Sequence, residues 1–113
     1  MSIERWSDDI SMVELQDDPA FTDDVTALIE QSENNKLGHV VLNFSAVGYV
    51  NSSNIAKLLK LRRQLLERKR RLVLCSIDTS VWGMFLVTGL DKVFEFADNL
   101  ATALTSVQLS EPR

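Results

Sequence analysis

The chain has 113 residues, a formal net charge of −4 and a single cysteine. That length fits one domain with its own core, and 45% hydrophobic with 25% charged residues is ordinary for a globular fold. One cysteine excludes an internal disulfide, no apolar run approaches the ~20 residues a membrane span needs, and the N-terminus lacks a basic region leading into an apolar core; the expected setting is cytoplasmic.

Two short extended segments open the chain, residues 3–6 and 10–15, joined by the turn-prone Ser7-Asp8-Asp9. A first helix follows, with Val25, Leu28 and Ile29 at helical spacing behind the capping candidates Thr22 and Asp23. Residues 39–44 form a compact apolar run and read as a buried strand. A loop then leads into a long helix from about residue 53 to residue 69. The next buried strand lies in Arg71-Leu72-Val73-Leu74-Cys75-Ser76-Ile77, which predicts a buried, inert thiol at Cys75. Residues 78–90 read as a helix capped by Thr79 or Ser80 and stopped by Gly89. A short strand at 93–96 and a last helix at 99–107 complete the order.

Strands alternating with helices predict an α/β fold: one domain over residues 1–113, with a mixed, mostly parallel sheet of four to five strands and about four helices, opened by an antiparallel hairpin. Residues 1–2 and 110–113 are expected to fray.

Charge is segregated. Ten of the sixteen acids lie in residues 1–33, and eight of the twelve basic residues lie in residues 57–71. This basic helix has no aromatic residue to stack bases, so a solvated or protein-facing surface is expected rather than nucleic-acid binding. Ile55, Leu58, Leu59, Leu61, Leu65 and Leu66 form its apolar stripe, and Arg62 falls inside it, either snorkelling outward or meeting a carboxylate. On the third helix Trp82, Met84 and Phe85 are core or interface candidates.

Residues that would carry self-contained chemistry are sparse. The one histidine, His39, stands at a strand entrance with no metal or triad spacing around it and reads as structural. The glycines at 38, 48, 83 and 89 form no phosphate loop. Asp8-Asp9, Asp17-Asp18 and Asp23-Asp24 match no calcium-loop spacing and read as solvated turns. No catalytic residue, metal or cofactor is expected. The most distinctive stretch is Val50-Asn51-Ser52-Ser53-Asn54-Ile55, with four small polar residues at the start of the long helix. These are either a helix cap or a hydroxyl displayed to a partner.

Together with Thr88-Gly89-Leu90-Asp91-Lys92-Val93-Phe94, this stretch resembles the STAS domain of bacterial anti-sigma-factor antagonists. In that family a strand ends in an Asp-Ser-Ser-Gly loop, a helix starts there, and a later segment reads Thr-Gly-Leu-x-x-x-Phe. The likeness runs over roughly residues 38–106 and more loosely through the N-terminal part. Asn51-Ser52-Ser53-Asn54 matches both serines and departs at both flanks.

The resemblance implies a non-enzymatic bacterial module for partner switching. It would bind an anti-sigma factor that is also a serine kinase, lose that partner when Ser52 is phosphorylated, and be reset by a phosphatase. Tyr49, Asn51, Ser53, Asn54 and Lys57 are the expected partner-binding residues, and neither nucleic acid nor membrane is an expected partner. The alternative is a non-phosphorylated scaffold subunit of a larger signalling assembly. A remote one is a small enzyme using Cys75.

Overall fold

The computed structural model describes residues 3–109. β1 (Ile3–Ser7) and β2 (Ile10–Gln16) form an antiparallel hairpin, followed by α1 (Ala20–Glu33), β3 (His39–Ala46), α2 (Ser52–Glu67), β4 (Leu72–Cys75), α3 (Thr79–Val87), β5 (Glu95–Ala97) and α4 (Leu100–Leu109). The sheet order is β1-β2-β3-β4-β5, and each strand after β2 runs parallel to the one before it. α1, α2 and α3 are therefore crossovers between neighbouring strands, because parallel neighbours cannot be joined by a tight turn. The five-stranded mixed sheet and four helices match the expected fold class.

The pleat divides β3 between two cores. Val40, Leu42 and Phe44 pack with α1, α2 and α3, while Val41 packs with Val73, Cys75 and the inner residues of α4, Ala103, Leu104 and Val107. Cover on both faces explains why β3 reads as one apolar run rather than an alternation. Edge-on ring contacts thread the larger core: Phe21 to Phe44 at 6.0 Å, Phe44 to Phe85 at 6.5 Å, and Phe85 to Phe94 at 5.7 Å. Phe85 is thus a core residue, whereas Trp82 and Met84 are half-buried.

Helix starts differ from the expected ones for a shared reason: the capping side chain stands further upstream. α1 begins at Ala20, and Thr22 and Asp23 lie inside it; Asp18 Oδ1 accepts from the Thr22 N–H at 3.0 Å and from its hydroxyl at 2.6 Å. α3 is capped by Asp78, which accepts from the Val81 N–H at 2.9 Å, and not by Thr79 or Ser80. α2 starts one residue early, at Ser52, and ends at Glu67. The stop at Gly89 is as expected: its φ of 74° lies in the left-handed region, and Phe94 beyond it is buried. Residues 90–92 form a 3-10 turn, which moves β5 on to Glu95–Ala97. The expected fraying of 1–2 and 110–113 lies outside the described residues.

At the N-terminal ends of the strands Arg71 ties several elements together. Its guanidinium meets both carboxylate oxygens of Glu95, at 2.7 and 3.2 Å, and donates to the Ser106 carbonyl at 2.9 Å and hydroxyl at 3.0 Å. Its backbone N–H donates to Nδ1 of His39 at 2.9 Å, giving that buried ring a structural place. Arg62 is half-buried and, among the described residues, has no ion-pair partner. It snorkels out of the apolar stripe rather than meeting a carboxylate.

Candidate functional site

The opposite, C-terminal end of the parallel strands carries the loop between β3 and α2. Val47 and Val50 bury their side chains and anchor it, while Gly48 and Tyr49 between them are exposed, Tyr49 by 50%. The Gly48 N–H donates to Asp17 Oδ1 at 2.9 Å, tying this loop to the one that follows β2.

Asn51 is the N-cap of α2. Its side-chain oxygen accepts from the Asn54 N–H at 2.8 Å, and the Asn54 side-chain oxygen accepts from the Asn51 N–H at 3.1 Å. This reciprocal pair satisfies two N–H groups that the start of a helix otherwise leaves without partners. Asn54 reaches further: its Nδ2 donates to Asp18 Oδ2 at 3.0 Å. Asp18 thereby links the start of α1 to the start of α2, and its carboxyl is held below the usual range, first by the Thr22 hydroxyl and then by the Asn54 amide.

The expected site residues separate into two layers. Ser52 and Ser53, the first two residues of α2, are exposed, as is Asn51; Lys57 is half-buried. Asn54 departs from its expected contact role: only 1% exposed, it lies beneath the surface and braces it. The cap is supplied entirely by Asn51 and Asn54, so neither serine is required for it. Both hydroxyls sit in the first turn, where N–H groups and the helix dipole favour negative charge, and α2 carries no acid of its own there.

Sequence reasoning missed Asp17 and Asp18 as the supports of this site. Their partners lie 31 and 36 residues away, and a pair of aspartates before a proline carries no local sign of such contacts. Cys75 is fully buried at the end of β4, and burial pushes its thiol pKa up. A reactive thiol needs the reverse. Among the described residues no group of three or more His, Cys, Asp or Glu side chains is placed to hold a metal ion, and no helix is long and apolar enough to cross a membrane.

The STAS domain family model matches residues 3–103, so the N-terminal hairpin belongs to the matched fold as fully as the segments carrying the two motifs. Among solved structures the chain is similar to the anti-sigma factor antagonist SpoIIAA in its unphosphorylated form, with a TM-score of 0.75 and 12% identity over 97% of this chain and 98% of that one. It is similar to a Ser-to-Glu variant of RsbS from Moorella thermoacetica, with a TM-score of 0.79 and 21% identity over 95% and 93% of the two chains. A chain of the stressosome, a signal integration and transduction hub, matches with a TM-score of 0.74 and 22% identity over 95% and 96%. At these identities the likeness to each structure is one of fold. The family match over nearly the whole chain goes further: this protein belongs to the STAS domain family.

Proposed function

We propose that the chain is a regulatory binding module of partner switching in the bacterial cytoplasm. It binds an anti-sigma factor that is also a serine kinase through the surface formed by Tyr49, Asn51, Ser52, Ser53 and Lys57, and phosphorylation of Ser52 ends the interaction until a phosphatase resets it. The observation that carries this reading is the division of labour at the start of α2: Asn51 and Asn54 cap the helix, Asp18 braces Asn54 from below, and Ser52, not needed for the cap, remains exposed. A phosphate there adds about 1.5 to 2 negative charges beside a helix N-terminus that tolerates them. The fold need not change, whereas a contact surface whose one formal charge is that of Lys57 becomes net negative, repels an acidic partner and resists desolvation.

The test uses an anti-sigma factor of the serine-kinase type as the partner. Incubation with that protein and ATP should place phosphate on Ser52, read by mass spectrometry. Ser52→Asp should keep the parent's melting temperature and lose at least about tenfold in affinity, equivalent to about 1.4 kcal/mol. Lys57→Glu should also weaken binding. Full affinity in a folded Ser52→Asp protein, or phosphate only on Ser53, would overturn the switch.

One observation favours the scaffold reading as the second. The two positions that depart from the family's Asp-Ser-Ser-Gly, Asn51 and Asn54, are bonded to each other in a closed pair. A loop held this way suits a permanent contact as well as a modified one. Absence of phosphate under conditions where the kinase binds, together with a stable higher-order assembly in light scattering, would favour that reading.

A further inference from the structure

A cavity of about 220 Å³ opens between α3 and the end of the sheet, lined by Ile77, Trp82, Phe96, Ala97 and Asp98. It lies outside the C-terminal ends of β4 and β5, where open parallel sheets leave room for ligands, and none of its lining residues belongs to the α2 surface described above. The rings of Trp82 and Phe96 stand 4.9 Å apart at 89°, so they form an aromatic corner. Ile77 and Ala97 add apolar wall, and the one ionised group is the Asp98 carboxylate. That carboxylate is exposed and, among the described residues, takes part in no hydrogen bond or ion pair. No lysine or arginine is among the lining residues to neutralise it.

We propose that this cavity is a binding site for a small organic cation, an alkylammonium or guanidinium head group. Two features select that chemistry together. The electron-rich faces of Trp and Phe attract a cation within about 6 Å of the ring, Trp most strongly. An uncommitted carboxylate at the rim supplies the opposite charge and repels anions. Size points the same way: the cavity is smaller than the ~300–1,000 Å³ typical of drug-sized pockets and suits a head group rather than a large molecule. The head group can belong to a free metabolite or to a lysine or arginine side chain of a protein partner. The site stands independently of whether Ser52 is phosphorylated.

Trp82 is a built-in reporter, because the only other tryptophan, Trp6, lies in β1. In a Trp6→Phe background of the full chain, fluorescence is titrated with choline, with the peptide acetyl-Gly-Arg-Gly-amide, and with 3,3-dimethylbutan-1-ol, a neutral isostere of choline. At least one cation should give a saturable change, with the neutral alcohol binding at least about tenfold more weakly. Asp98→Asn, an exposed substitution with unchanged melting temperature, should bring the cation down towards the alcohol. Tighter binding of choline than of the peptide assigns the site to a free metabolite, and the reverse order assigns it to a partner's side chain. Absence of saturation with both cations, equal binding of the neutral alcohol, or an Asp98→Asn protein that binds as the parent does would overturn the proposal.

Discussion

The two ends of the sheet use polar side chains in opposite ways. At the N-terminal end Arg71 joins β4 to β5 and α4, and its charge is paired within the fold, with Glu95 and Ser106. At the C-terminal end Asp18 and the buried Asn54 lie below, the exposed Asp17 ties the loop at its rim, and Tyr49, Ser52 and Ser53 are left on top. One arrangement closes the fold over α4, and the other holds a display surface still. The proposed contact surface is thus held in part by groups that lie beneath it, Asn54 and Asp18.

The largest effect expected from breaking this contrast is at Asn54. Asn54→Ala removes both hydrogen bonds of a buried side-chain amide and leaves the Asn51 N–H and Asp18 Oδ2 without that partner, so stability should fall by about 2–3 kcal/mol in urea unfolding. A loss no larger than that of a surface substitution would mean that Asn54 does not brace the site. Arg71→Ala should cost less, about 1–2 kcal/mol, because the side chains of Arg71 and Glu95 are 27% and 51% exposed and water can replace part of the pair. Added salt sharpens the comparison: it should shrink the Arg71 effect and leave the Asn54 effect nearly unchanged.

Ser52→Ala should stay within about 0.5 kcal/mol of the parent, since the cap of α2 is formed without it. A cost of a full cap, about 1 kcal/mol, would contradict the separation of brace from display. The smallest effect is the acid dependence at Asp18. Its folded pKa lies below the ordinary 3.8, so its contribution is complete above that value and is lost as pH falls through the lower folded value. The difference in urea midpoint between the parent and Asp18→Asn should therefore be constant near neutrality and shrink only in strong acid. A difference that shrinks already around neutral pH would point to another group.

How much was legible depended on the range of the interaction. The strands at β2, β3 and β4 were readable because burial on one or both faces stamps a local pattern on consecutive residues. The stop at Gly89 was readable because a left-handed residue favours glycine. Helix starts were misplaced at α1 and α3 because several neighbouring Asp, Thr and Ser residues can all cap, and only the packed helix axis selects one. Asn54 looked like a surface residue because its polarity was visible and its burial was not. Its partner, Asp18, lies 36 residues away and meets it only when α1 and α2 stand side by side on one face of the sheet.

The sequence by itself determined the α/β class, the order of the elements and the place of the serine pair at the start of a long helix, since each follows from periodicity, capping preference and motif within a short window. Only the tertiary structure decided which polar residues support that helix and which are displayed, that Arg71 ties the far end of the sheet, and that Trp82, Phe96 and Asp98 come together around a cavity. Those outcomes depend on neighbours brought together by the crossovers, and no local window of the chain contains them.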